Sequence, residues 1–167
     1  MNRNWLIPDW DPGIPIQKIR IDQLIDKKIQ AILVDVDGTL LPRKEIHINN
    51  SIKDWIIEAK RELSVYLLSN NPYKERIAYI ANELNIPFTS SALKPRTKAT
   101  KKAIKSFNLN PQNIAILGDR IFTDIIVGNR LGLYTILVRP VNREGTEISN
   151  NTLQRLEINI AKIIGGK

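Results

Sequence analysis

The sequence predicts an α/β protein: a three-layer, Rossmann-like parallel sheet with helices on both faces. Three observations carry that reading: short apolar, β-branched runs, helical patterns between them, and short links joining the two. Segment 29–34 (Ile-Gln-Ala-Ile-Leu-Val) is nearly all apolar, as a strand buried on both faces must be. Segments 65–68, 114–117 and 134–138 have the same character, and 86–89 is a shorter, weaker candidate. Helical patterns fall at 50–62, 73–84, 97–107 and 122–131. Crossovers between such parallel strands are right-handed. Gly118, Gly128 and Gly132 punctuate the last units as turn, packing or cap positions. Two flanks lie outside the rhythm. Residues 1–28 form an N-terminal extension, irregular over its first twenty residues, with Trp5, Trp10 and prolines at 8, 12 and 15. Residues 151–164 read as a last helix with Leu153, Leu156, Ile160, Ile163 and Ile164 on one stripe. The expected organisation is one domain over 1–167 with its strand-and-helix core at 29–139.

Composition narrows the chemistry. A chain of 167 residues buries a core without disulfides or a structural metal. The absence of Cys excludes a disulfide scaffold, thiolate-held zinc or iron–sulfur centres, and a thiol nucleophile. The single His, His47, excludes most His-based triads and clusters and reads as a loop residue. Lys and Arg number 25 against 17 acids, a net charge of +8 that calls for an anionic partner: nucleic acid, a membrane surface or a phosphorylated small molecule. No apolar run approaches the roughly 20 residues of a membrane span. Acids and prolines stand where a signal peptide needs an apolar stretch, so the cytoplasm is the expected location.

In open parallel sheets ligands bind at the carboxyl ends of the strands. Residues 35–39 (Asp-Val-Asp-Gly-Thr) follow the first strand and 69–71 (Ser-Asn-Asn) the second. Lys94-Pro95 precedes the helix at 97, and Gly118-Asp119-Arg120 with Thr123-Asp124 follows the fourth strand. Carboxylates, a hydroxyl and a lysine thus gather at one rim. Two aspartates two residues apart allow one to attack while the other handles protons, and a carboxylate nucleophile suits phosphoryl transfer. Clustered carboxylates with an anionic substrate point to Mg²⁺, a hard cation that takes oxygen ligands. A lysine and a hydroxyl at the same rim would hold phosphoryl oxygens.

Asp35-Val36-Asp37-Gly38-Thr39, Ser69, Lys94 and Gly118-Asp119 with Asp124 resemble, in order, the four motifs of the haloacid dehalogenase (HAD) superfamily of phosphatases. The resemblance spans about two thirds of the chain and implies the following roles. Asp35 is the nucleophile and a metal ligand. Asp37 is the general acid and base and ligates Mg²⁺ through its backbone carbonyl. Thr39 and Gly38 shape the loop. Ser69, with the amide of Asn70, binds phosphoryl oxygens. Lys94 offsets the charge of Asp35 and phosphate. Asp119 ligates Mg²⁺ with the support of Asp124. An acid at position 37 implies rapid hydrolysis of an aspartyl phosphate, hence a phosphatase rather than a P-type ATPase. Taken singly, Asp124 and Ser69 also suit helix caps.

HAD caps enter after the first motif or between the second and third. Residues 40–49 and 70–93 are too short to hold one, so the site is expected to be open and to favour large substrates. The capless layout, Leu6-Ile7-Pro8-Asp9, Ser69-Asn70-Asn71, Leu93-Lys94-Pro95, and the run from Gly118 to Asp124 and on through Gly128-Asn129-Arg130-Leu131-Gly132 resemble the YqeG family of HAD subfamily IIIA. Gly38 departs from it, since many relatives have Asn there. The resemblance implies dephosphorylation of phosphatidylglycerophosphate to phosphatidylglycerol, a phosphorylated lipid head group as substrate, and peripheral contact with an anionic membrane, at the inner membrane face. Rival readings are an open-site phosphatase acting on nucleic-acid ends or phosphoproteins, and a non-catalytic basic module that binds nucleic acid.

Between Leu84 and Gly118 stand six basic residues and no acids: Lys94, Arg96, Lys98, Lys101, Lys102 and Lys105. They form either a positive rim at the site or a solvated helix face. Trp5, Leu6, Ile7, Trp10 and the stripe of the last helix suit a membrane interface, but packing on the core is the expected use of both. Arg120 and Arg130 serve either phosphate or salt bridges.

Overall fold

A computed structural model describes residues 4–148 and 151–165. The first three residues of the expected N-terminal extension lie outside the described residues. Five parallel strands form one sheet: β1 (Ala31–Val34), β2 (Ser64–Leu68), β3 (Phe88–Thr89), β4 (Ile114–Gly118) and β5 (Tyr134–Leu137), in the order β3-β2-β1-β4-β5. β1 is central, pairing Ala31 with both Ser64 and Ile114. All four of its residues are buried, which explains its apolar run. The α/β architecture read from the sequence is the architecture found.

Helices α1 (Ile21–Asp26), α2 (Asn50–Glu62) and α3 (Lys74–Leu84) share one apolar cluster with Ile32, Val34, Val65, Leu67 and Leu117. Helices α4 (Lys98–Phe107) and α5 (Ile126–Leu131) pack on the other face, against Leu33, Leu68 and Ile116. Local chemistry sets the boundaries. The Asn49 carboxamide accepts from the Ser51 amide at the start of α2, and Gly132 ends α5 at φ +72°. Gly128 is where α5 crosses the sheet: a Cβ there would stand 2.5 Å from Ile116 Cγ2 and from Thr135 Cγ2.

Two expectations need correction, and one helix is new. α1 was not anticipated; it is one and a half turns long, and only Ile21 and Leu24 in it are buried. The helix expected over 122–131 begins as a wide π-helical turn, Ile121–Ile125, before α5. There the Arg120 carbonyl accepts from both the Asp124 and Ile125 amides, which turns Asp124 inward. The largest change concerns α6 (Thr152–Ile164). Most of its apolar stripe does not pack on the core: Leu153, Leu156, Ile163 and Ile164 are 48%, 54%, 81% and 69% exposed, and only Ile160 is half-buried. The buried face carries Gln154, Glu157 and Ala161 instead. Polar side chains take that face because groups in the loop after β4 need partners, as shown below.

The N-terminal segment divides. Trp10 hydrogen-bonds along β5 and packs against the core, and Leu6 packs with Ile158 and Phe122 beside α6. Trp5 is exposed, with the Arg130 guanidinium 5.7 Å over its ring. Arg96, Lys98, Lys101, Lys102 and Lys105 are solvated on and before α4, whereas Lys94 is buried. His47 is exposed in the loop before α2. Among the described residues no helix is long and apolar enough to cross a membrane.

Candidate active site

The carboxyl ends of β1, β3 and β4 bring four expected residues together. Asp35 follows β1 directly, and its backbone amide still donates to Leu117 of β4. Lys94 reaches the same point from the loop after β3. Its Nζ lies 2.6 Å from Asp35 Oδ1 and 2.6 Å from Asp124 Oδ1, and it donates to the Leu68 carbonyl at 2.7 Å. Asp119 completes the group: Asp35, Asp119 and Asp124 each offer a carboxylate oxygen within 4.8 Å of the others. All three are buried.

Charge balance in this group is incomplete. Three carboxylates face one lysine. Burial, reinforced by Asp124 and Asp37 against the pull of Lys94, pushes Asp35 up to about 7. Asp119 is raised well above the ordinary carboxylate range, by burial first and then by Asp35 and Asp124. Burial works against the charge on Lys94, but Asp124 and Asp35 outweigh it, and its pKa rises. Asp119 Oδ1 is buried with no hydrogen-bond partner. A trio of hard oxygen donors in excess negative charge, with one orphaned oxygen, fits a divalent cation of the Mg²⁺ kind.

Asp37 stands apart from that trio. Its Oδ2 accepts from Asn71 Nδ2 at 3.0 Å, and its Oδ1 lies 2.9 Å from Arg76 Nη1. Arg76 also donates to the carbonyls of Glu45 and Pro42, which ties the loop after β1 to α3. Sequence reasoning assigned no role to Asn71 or Arg76. The one signal for Asn71 was its place in the Ser-Asn-Asn run, while Arg76 gave none. Gly38 earns its place twice: its φ is +92°, and a Cβ would stand 2.5 Å from Asp119 Oδ2.

Thr39 is fully buried under the loop. Ser69 Oγ accepts from the Asn71 amide at 3.0 Å and so holds the turn after β2. The Asn70 side chain is committed to the Lys94 backbone, accepting from its amide at 2.7 Å and donating to its carbonyl at 2.9 Å. This clamp fixes the lysine's approach, and leaves the role expected of Asn70 to its backbone amide. A cleft of about 600 Å³ opens over Asp35 and Asp37, with Arg43, Lys44, Arg76, Arg120 and the exposed Tyr73 around it. Arg120 ion-pairs with Glu157 while lining this cleft. Arg130 donates to the Pro95 carbonyl.

α6 holds the loop after β4 from behind. Gln154 Nε2 donates to the carbonyls of Asp119 and Val138, at 2.7 and 2.8 Å. Glu157 Oε2 accepts from the Ile121 amide at 2.8 Å, and its Oε1 from Arg120 Nε at 2.7 Å. Neither residue was singled out from the sequence.

Comparison with known proteins agrees with this constellation. The family model described as mitochondrial PGP phosphatase matches residues 2–142. The Bacillus subtilis (strain 168) protein named "Probable phosphatase YqeG" is 32% identical over 121 residues, covering 72% of this chain and 70% of that protein. Phosphatidylglycerophosphate phosphatase 1, chloroplastic/mitochondrial, of Arabidopsis thaliana is 30% identical over 163 residues. That match covers 90% of this chain and 47% of the plant protein, so the chain spans about half the length of this relative. Among solved structures, a HAD superfamily (subfamily III A) hydrolase from Legionella pneumophila superposes with a TM-score of 0.52 at 17% identity, over 85% of this chain and 88% of that one. The 3-deoxy-D-manno-octulosonate 8-phosphate phosphatase of Yersinia pestis does so with a TM-score of 0.51 at 14% identity, over 84% and 85%. The structural likenesses give the fold, and the sequence matches give the lineage and reaction class. The chain belongs to the mitochondrial PGP phosphatase family, and is a HAD-type phosphatase, a phosphoric monoester hydrolase.

Proposed function

We propose that this enzyme removes the terminal phosphate of phosphatidylglycerophosphate, leaving phosphatidylglycerol, by way of a phosphoryl group carried on Asp35. The observation that carries the reading is the pair of aspartates at the end of β1 with different surroundings. Asp35 is buried beside Lys94, while Asp37 opens to the cleft under Arg76 and Asn71. In this reading Asp35 attacks phosphorus, and the bond from phosphorus to the glycerol oxygen breaks. Asp37 supplies the proton to that departing oxygen. It then takes a proton from water as the water attacks phosphorus, and the bond to Asp35 breaks to release phosphate. Lys94 orients Asp35 and lowers the cost of bringing a phosphate to it. Ser69 and Thr39 shape the turns from which backbone amides, Asn70's included, meet phosphoryl oxygens.

Asp35, Asp119 and Asp124, with the Asp37 carbonyl, would hold Mg²⁺, which when bound neutralises phosphoryl charge and favours ionised Asp35. Residues 29–139 act as the catalytic core, with 1–28 and 151–164 as flanks of the same domain. The cations at the cleft mouth suit a substrate carrying a second phosphate, the internal diester of this lipid.

The test is phosphate release, with and without Mg²⁺, from detergent-dispersed phosphatidylglycerophosphate, a phosphopeptide, a 3′-phosphorylated oligonucleotide and an aryl phosphate. Mg²⁺-dependent turnover of the lipid, lost in Asp35→Asn, is expected. Turnover of the peptide or oligonucleotide without the lipid would assign the site to one of those substrates. No turnover of any compound would remove the catalytic reading.

A further inference from the structure

α6 presents two unlike faces. Inward, Gln154 and Glu157 hold the loop that carries Asp119 and Arg120. Outward, Leu153, Leu156, Ile163 and Ile164 stand in solvent, the last two among the most exposed apolar side chains described. At about 100° per residue these four fall within one arc of the helix. Glu157 lies at the edge of that arc, between it and the buried face. Its carboxylate reaches Arg120, which lines the cleft, so the apolar arc flanks the side of α6 that leans toward the active site.

The exposed charges of this helix have one sign. Arg155 and Lys162 are exposed on the same helix, and its one acid, Glu157, is buried. The cleft mouth adds Arg43 and Lys44, with Arg76 and Arg120 paired to Asp37 and Glu157. A second copy of a chain with net charge +8 would bring like charge to this face, whereas an anionic lipid surface brings the opposite. A helix that does not span, with an apolar arc on its outer surface and Arg155 and Lys162 farther round on its exposed flank, is the pattern that lies in the plane of a bilayer interface.

We propose that the outer face of α6 docks the enzyme on a bilayer bearing anionic phospholipid, with Leu153, Leu156, Ile163 and Ile164 entering the interface. The inference rests on the lipid reading of the site and gives it geometry. Docking on α6 sets the cleft, one side chain away through Glu157 and Arg120, against the head-group layer. Because the head group then approaches from the membrane side, the lipid itself provides the roof that a capless site lacks.

The experiment is flotation with vesicles of phosphatidylcholine alone or mixed with phosphatidylserine, neither being the substrate. The wild type is expected to float with the anionic vesicles and less with the neutral ones. The double variant Leu156→Glu with Ile163→Glu should lose vesicle binding by about tenfold or more, with turnover of a soluble aryl phosphate unchanged. The reversal Arg155→Glu with Lys162→Glu is the second variant, which should weaken binding to anionic vesicles alone. Wild type that binds no vesicle, apolar-face variants that bind as well as wild type, or a dimer in solution that those variants split would each overturn the proposal. Vesicle binding without turnover of phosphatidylglycerophosphate would remove the substrate reading and keep the docking face. Turnover of detergent-dispersed lipid without vesicle binding would do the reverse.

Discussion

Lys94→Met is the most informative change to the charge group. The side chain is 1% exposed, and its ammonium lies 2.6 Å from both Asp35 and Asp124. Removing one partner of a buried ion pair costs about 3–5 kcal/mol, because the remaining charge is left without compensation. Here two carboxylates lose their cation at once, with Asp119 already beside them. In metal-free protein Asp35 responds by taking up a proton, so the deficit depends on pH. Asp35 sits near 7 in the folded chain against 3.8 as a free side chain. A carboxyl group raised in this way gives the fold its full stabilising share below the unfolded value, and that share is lost as pH rises through the folded one. Lys94 pulls Asp35 down, so the substitution raises it further and deepens the loss in the alkaline direction. Urea unfolding in EDTA, followed by Trp fluorescence, should show a small deficit near about pH 5 and one of about 3–5 kcal/mol near about pH 8. A deficit under about 1 kcal/mol at the higher pH, or one equal at both, would refute the assignment of Lys94 as the counter-charge of this cluster.

Further substitutions test the parts around it. Arg76→Met leaves Asp37 held by Asn71 alone, so turnover of an aryl phosphate should fall by about 10–10² while Mg²⁺ affinity stays near wild type; unchanged turnover would detach Arg76 from the role proposed for Asp37. Gln154→Ala strips buried partners from the carbonyls of Asp119 and Val138, at about 1–3 kcal/mol for each group left unpaired. Calorimetric titration of that variant should also show weakened Mg²⁺ binding, and stability loss with unaltered binding would make Gln154 a packing residue only. Gly128→Ala forces a methyl to within 2.5 Å of Ile116 and Thr135, and should lower the unfolding free energy by about 1–3 kcal/mol. A neutral result in urea would show that α5 can lift from the sheet.

β1 and β4 were legible because every residue in them is buried, so local composition alone reports them: the runs at 29–34 and 114–117 have no other use in water, whereas the half-buried, two-residue β3 gave only a weak signal. The acids and Lys94 were legible for a related reason, since a parallel sheet sends every strand end to the same rim. α6 shows where such reasoning stops. Periodicity revealed an amphipathic helix, but the face it buries was chosen by partners far away in sequence. Gln154 answers a carbonyl 35 residues back, and Glu157 an arginine 37 back. A hydrophobicity pattern assigns such polar side chains to water. Arg76 was invisible for the same reason, because its acceptors lie 31 and 34 residues upstream on a loop with no regular structure. The wide turn at Ile121–Ile125 likewise comes from the need to aim Asp124 inward, a tertiary demand that helix propensity does not encode.

The N-terminal segment has a consequence for the life of the chain in a crowded solution. Trp10 donates to Thr135 and accepts from Leu137, the Ile14 carbonyl accepts from Arg139, and the Asp9 carboxylate accepts from the Thr135 amide. These bonds occupy the outer margin of β5, which would otherwise offer a row of unmet donors and acceptors to any extended stranger. At the opposite margin β3 is only two residues long. The sheet is thus stoppered on one side and blunted on the other, and neither side gives a foreign strand room to continue it. A chain cut after residue 13 would lose that stopper, and its first failing would be stickiness, ahead of any fault in chemistry at the far end of the strands.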